Sequence, residues 1–297
     1  MNNTFFKVIK ISTEQALFLK KIMHADTSLS DQQKKDFISP LVDAVEGHRA
    51  IVIQLNSVDN TEKFNELEIH ELSEPFGKLF GNLLVQNEQG ATVITVYDRD
   101  RLGSMFSGAR YHQTREGGSI HTDNVNVPEL WDYLYLSCIS PAYVGGENIL
   151  VDGVLINRIL EEKFPKAFEV LKSPFIWEMR GVKDELYHAP IITYDEKGEP
   201  HFRHLRPYME SAHVKAETPL SAQQLYALDV LDALLNDSHN QIRYRMQAGD
   251  ILLSKDDHVL HGRTCFSDDL EAVSIENMGN QPNHPLKRTM DRLWVKR

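Results

Sequence analysis

GGSIHTDN, residues 117–124, sets a histidine and an aspartate two apart, directly after a pair of glycines. On an extended strand alternate side chains share a face, so His121 and Asp123 point together while Thr122 points away. That is a chelating pair formed by the backbone itself. The pattern alone is weak, because 13 histidines in 297 residues supply about one His-x-Asp triplet by chance. Its meaning rests on GDILLSKDDHVLHGRTCF (249–266), where His261 follows a strand-like run and precedes a Gly-Arg turn. Two histidines and one carboxylate make a facial triad that leaves one side of an octahedral ion open. Such a site suits Fe(II) that must bind a cosubstrate and O2 together. The same donors also suit zinc, so a zinc-dependent hydrolase stays open. His258 lies three residues before His261, an odd spacing that sends it to the opposite face of a strand.

Around these motifs the chain reads as mainly β with flanking helices. RAIVIQL (49–55), ATVITVYD (91–98), YLYLSCIS (133–140), FIWEMRG (175–181), PIITYD (190–195), QIRYRMQ (241–247), DILLSK (250–255) and RLWVKR (292–297) are short and rich in β-branched or aromatic residues. Turn-forming residues bound them, as strands require. Helical periodicity is confined to the first ~45 residues, to 153–173 and to 221–237. Ser12 or Thr13 can cap the first helix and Ser30 the second, which Pro40 is expected to kink or end. So many short strands predict a double-stranded β-helix, the jelly roll of cupin-like proteins. No repeat or linker divides the chain. The expectation is one domain over 1–297, with a helical N-terminal decoration at 1–48 and a helical insertion at 215–238.

A net charge of -11 repels nucleic acid and anionic membranes alike. RHLRPY (203–208) lacks the interleaved aromatics of a nucleic-acid patch, and Arg206 is expected to face the active site instead. Only Cys138 and Cys265 occur, with no paired spacing, so neither a disulfide framework nor a cysteine zinc site is predicted. No run of about 18 apolar residues is present, and the N-terminal stretch lacks a cleavage signal, so the expected location is cytoplasmic. The leucine-rich segment 221–237 reads as core packing or as a surface for homo-oligomerisation.

The C-terminal segment KRTMDRLWVKR (287–297) supplies an independent signal. Alternation places Arg288, Met290, Arg292 and Trp294 on one face. If that face is the inner one, its guanidinium groups need anionic partners, because an unpaired buried charge is prohibitively costly. Two arginines in a pocket imply carboxylate ligands.

The order HTD (121–123), GGEN (145–148), HGRTCF (261–266) and RTMDR (288–292) resembles the TauD/TfdA group of Fe(II)- and 2-oxoglutarate-dependent dioxygenases over roughly residues 105–297. The resemblance implies that His121, Asp123 and His261 hold Fe(II), and that Arg288 pairs with the far carboxylate of 2-oxoglutarate. Arg292 would lie near 2-oxoglutarate or the primary substrate. Family members commonly carry a threonine where this chain has Asn148, whose amide can still donate to 2-oxoglutarate. The long segment between His261 and Arg288 is similar to a branch that oxidises free amino acids, where it helps to close over the substrate. Halogenating members replace the metal carboxylate with glycine or alanine, and this chain keeps Asp123, so the resemblance implies hydroxylation. The implied substrate is a free amino acid, with a lysine-like one favoured by the branch and the acidic balance. A sulfonate or aryloxy acid is the alternative. Arg110 and Glu116, in GARYHQTREGG, and Trp294 complete the candidate substrate contacts.

Overall fold

The computed structural model describes residues 5–87, 89–99, 113–123, 125, 127–128, 131–179, 184–268 and 287–297. In chain order the strands are β1 (Phe6–Lys10), β2 (Ala50–Gln54), β3 (Asn82–Leu83), β4 (Val93–Val96), β5 (Gly118–His121), β6 (Tyr133–Ser140), β7 (Val144–Gly145) and β8 (Asn148–Asp152). They continue with β9 (Pro174–Glu178), β10 (Leu186–Pro190), β11 (Ile192–Tyr194), β12 (Pro200–Phe202), β13 (Gln241–Tyr244), β14 (Asp250–Lys255), β15 (Val259–Arg263), β16 (Phe266–Ser267) and β17 (Thr289–Lys296). The helices are α1 (Thr13–Met23), α2 (Asp31–His48), α3 (Glu66–Phe80), α4 (Gly153–Lys163), α5 (Pro165–Leu171), α6 (Arg206–Lys215) and α7 (Ala222–Asn236).

Two larger sheets organise the chain. The major one runs β1-β2-β14-β6-β17-β3, with β4 also paired to β17, and only the β1–β2 pairing is parallel. The minor one runs β13-β8-β15-β5 and is antiparallel throughout. Strand periodicity sorts the side chains into three layers. Ile51, Ile53, Tyr133, Tyr135, Ile251, Leu253, Leu293 and Val295 pack outward beneath α1, α2 and α3. Ile149, Val151, Ile120 and Leu260 pack outward beneath α4, α5, α6 and α7. Their alternates, Val52, Leu252, Cys138, Met290, Leu150 and Val259, meet between the two sheets. Any residue that alternates with an outward-packed neighbour therefore faces this interior.

Local signals explain the helix starts. Ser12 with Gln15, Ser30 with Gln33, Asn65 with Glu68 and Ser221 with Gln224 each close a reciprocal capping box. Pro40 does not end α2, which runs on to His48. Pro40 is exposed, so water can satisfy the carbonyl that loses its N–H partner. The N-terminal segment is also more than a helical decoration, since Phe6–Lys10 forms an edge strand of the major sheet. α3, unforeseen because Pro75 and Gly77 interrupt its pattern, lays Ile69, Leu72, Phe76 and Phe80 on that sheet. Between β12 and β13 the expected single helical insertion is a pair, α6 and α7. Both cysteines are free, Cys138 buried and Cys265 exposed. No helix among the described residues is long and apolar enough to cross a membrane.

One buried carboxylate joins α3 to the sheet. Asp291, on β17, is fully buried and accepts from His70 Nδ1 at 2.7 Å and Thr95 Oγ1 at 3.1 Å. The hydrogen bond to Asp291 raises the His70 pKa against a smaller opposing effect of partial burial. Folding thus favours protonated His70. Its stabilisation is fully present below the unfolded value near 6.5 and is lost as pH rises through the higher folded value. The difference in urea midpoint between wild type and His70→Gln should be larger at about pH 5.5 than at about pH 9, which paired unfolding curves will check.

Candidate active site

His121 ends β5 and His261 lies mid-strand in β15, directly opposite each other in the antiparallel register. Ile120 and Leu260 pack outward, so both imidazoles face the interior. Their ring centroids are 4.5 Å apart. Asp123 joins them, its Oδ1 lying 3.5 Å from His121 Nε2 and 3.7 Å from His261 Nε2. All three residues are buried. His121 Nδ1 lies 2.7 Å from the carbonyl of Ser119, a partner that makes Nδ1 the N–H and leaves Nε2 its lone pair. Burial, and then the neighbouring His121, depress the His261 pKa, which favours its neutral, ligating form. Burial opposes ionisation of Asp123, but the charge of Arg292 and the two histidines outweigh it and hold the carboxyl well below its usual range.

Thr122, just past the end of β5, points away and anchors the segment from behind. It donates its N–H to His204 O at 2.8 Å, and its Oγ1 accepts from His204 N at 3.0 Å. Asp256 Oδ1 accepts from the Asp123 N–H at 3.1 Å and lies 3.7 Å from His261 Nδ1. The two glycines matter for different reasons, Gly118 through its φ of +118 and Gly117 through close approach. A Cβ on Gly117 would meet Cys265 N at 2.3 Å, so only glycine lets this turn lie against the HGRTCF segment.

The remaining candidates fall into two groups. Asn148 and Arg288 gather near the GGEN turn, where Gly146 has φ +70 and a Cβ would meet Arg288 Nε at 3.1 Å. Asn148 alternates with the outward-packed Ile149, is 4% exposed, and its amide Nδ2 has no hydrogen-bond partner among the described residues. Arg263, overlooked in the sequence, sits opposite Asn148 in the register. The guanidinium groups of Arg263 and Arg288 lie 4.9 Å and 5.2 Å from the Phe266 ring. Its signal was legible, since i+2 from His261 places Arg263 on the same strand face. Arg292 and Trp294 form the second group: both reach Asp123 Oδ2, at 3.0 Å and 2.8 Å. Glu116 is half-buried beside the Gly117 turn. Arg110 and most of the segment between His261 and Arg288 lie outside the described residues.

Arg206 does not face this site. It pairs with Glu210, Asp229 and Asp232 on α6 and α7, because three carboxylates there compete for it. His258 likewise turns away, its Nδ1 bonded to Asp257 at 2.6 Å, while Asp257 also accepts from His201. In that second His-Asp-His cluster both Nδ1 atoms are held by Asp257, while His201 Nε2 is buried without a hydrogen-bond partner among the described residues.

A family profile described as taurine catabolism dioxygenase TauD, TfdA family, matches residues 21–275. The chain belongs to the TauD/TfdA family. The match reaches further toward the N-terminus than the motifs do and stops before Arg288. Among curated relatives, FR-33289 synthase of Streptomyces rubellomurinus is 24% identical over 242 residues, covering 79% of this chain and 66% of that protein. Human (Homo sapiens) gamma-butyrobetaine dioxygenase is 27% identical over 158 residues, covering 50% of this chain and 40% of that one. This chain therefore spans less than two thirds of the length of either. The fold resembles an asparagine oxygenase solved with Fe(II), 3-hydroxyasparagine and succinate, at TM-score 0.67 and 14% identity over 97% of this chain and 93% of that one. It also resembles the non-heme iron oxygenase OrfP bound to iron and alpha-ketoglutaric acid, at TM-score 0.66 and 14% identity over the same shares, 97% and 93%.

The Thr122 anchor can be tested by an isosteric change. Thr122→Val leaves the buried His204 N–H without its acceptor, so unfolding free energy should fall by about 1–3 kcal/mol in urea denaturation.

Proposed function

We propose that this TauD/TfdA protein is an Fe(II)- and 2-oxoglutarate-dependent oxygenase that hydroxylates an unactivated C–H of a free amino acid. The observation that carries the reading is the convergence of His121 Nε2 and His261 Nε2 on Asp123 Oδ1, at 3.5 Å and 3.7 Å. Ligand atoms on neighbouring positions of an ion with bonds of ~2.0–2.2 Å stand about 3 Å or more apart, so the three atoms fit one cation. Such iron, with 2-oxoglutarate and O2, supplies oxidation of a C–H bond and releases succinate and CO2.

The chain's own residues bind, orient and exclude water. The unpartnered Asn148 amide, buried in the same interior, is a donor awaiting an acceptor, and an oxygen of 2-oxoglutarate meets that need. Arg288, beside it across Gly146, pairs with the distal carboxylate in a geometry lysine cannot reproduce. The apolar residues between the sheets, among them Leu150, Val259 and Met290, keep water from the reacting carbon. Glu116 and Arg110 are the groups assigned to the amino acid's ammonium and carboxylate, and retention of Asp123 favours hydroxylation over halogen transfer. The two facing sheets support a jelly-roll description, and their shared interior supports one domain over 1–297.

A panel of amino acids, lysine included, with a sulfonate and an aryloxy acid, incubated with enzyme, Fe(II) and 2-oxoglutarate, should show a mass gain of one oxygen in an amino acid. Anaerobic Fe(II) and 2-oxoglutarate should give a weak visible charge-transfer band. No band at saturating ligand, or turnover with zinc alone, overturns the reading in favour of a hydrolase. Asp123→Ala should abolish succinate formation. Arg288→Ala removes a charge-assisted contact and should raise the 2-oxoglutarate requirement roughly 10- to 100-fold, whereas unchanged kinetics would refute its assigned role.

A further inference from the structure

The two oxygens of Asp123 have different surroundings. Oδ1 faces the histidine nitrogens, whereas Oδ2 accepts from Trp294 Nε1 at 2.8 Å and pairs with Arg292 Nη1 at 3.0 Å. The groups that hold Oδ2 are themselves held. Arg292 donates through Nε to Gln86 Oε1 at 3.0 Å, and Gln86 Nε2 donates back to the Arg292 carbonyl at 2.9 Å. The guanidinium lies 4.9 Å from the Trp294 ring, and Trp294 stacks on Trp131 with centroids 4.2 Å apart and planes inclined 20°. Gln86, Trp131 and Trp294 are all buried. These contacts restrain both side chains in the position from which they hold the carboxylate.

We propose that Arg292 and Trp294 are positioning residues that restrain Asp123 to binding its metal through Oδ1 alone. This rests on the metal-site reading above. A carboxylate with both oxygens unengaged can chelate through both, and the second oxygen would take a coordination position that the cosubstrate or O2 needs. Engaging Oδ2 with a neutral N–H and a guanidinium removes it from that competition, and it fixes the plane in which Oδ1 is presented. With Nε on Gln86 and Nη1 on Asp123, Arg292 serves the metal carboxylate and not a substrate carboxylate.

The test is anaerobic titration of the metal-free full chain with Co(II), followed by visible absorption, in wild type, Asp123→Ala, Trp294→Phe and Arg292→Gln. Trp294→Phe keeps an aromatic ring against Trp131 and removes the Nε1 donor together with part of the buried ring, whereas Arg292→Gln leaves that stack in place. The Phe and Gln variants should each bind Co(II) roughly 10- to 100-fold more weakly. Their absorption envelopes should also change as Oδ2 enters the coordination sphere, a signature that general loss of stability would not produce. Wild-type affinity and spectrum in both variants would overturn the proposal. If Trp294→Phe does not fold, Arg292→Gln alone decides. Wild-type affinity in Asp123→Ala would instead sink the metal-site reading, and the positioning roles with it.

Discussion

An ionised carboxylate at 8% exposure sets the terms for the rest of the molecule. Taking such a group out of water costs several kcal/mol unless charge and hydrogen bonds replace the lost solvation. Asp123 receives that replacement from four side chains on three strands: His121 from β5, His261 from β15, and Arg292 and Trp294 from β17. β5 and β15 belong to the minor sheet and β17 to the major one. The carboxylate is therefore also a polar tie between two sheets that otherwise meet through apolar contacts.

β17 is the strand on which these demands converge. It pairs with β6, β4 and β3, so its two faces are fixed by a ladder on both sides. One face carries Leu293 and Val295 into the layer beneath α3, along with Asp291, which holds His70. The other turns Arg292 and Trp294 to Asp123. A one-residue slip would exchange the faces, expose the leucine layer and bury Arg292 against helices, which is why the register is so strongly specified. The structural ties and the site thus share one strand and one periodicity.

Much of this was legible because a strand's side-chain period is a local property. Alternation alone put His121 and Asp123 together, turned Thr122 away, and set Arg292 and Trp294 on one face. Capping residues marked α1 and α2, and helical periodicity marked α7. The misses have equally physical causes. β1 is specified by its pairing with β2 and carries no clean local pattern, whereas α3 does carry a capping box and a row of apolar residues at helical spacing, interrupted by Pro75 and Gly77. Arg206 looked available in the sequence, but three carboxylates from α6 and α7 claim it. Arg263 was passed over although its spacing from His261 announced it. Gln86 carries no signal at all, because its part comes from a contact spanning 206 residues of chain.

What the sequence by itself determined, then, is the donor set, the faces on which the donors lie and the family to which the chain belongs. These follow from residue type and from spacings of two, which hold wherever the strand sits. What only the tertiary structure decided is which groups meet. The distance from β5 to β17, the partner of each Asp123 oxygen and the capture of Arg206 depend on how sheets and helices pack. Packing is a sum over contacts distant in sequence, and no local pattern encodes it.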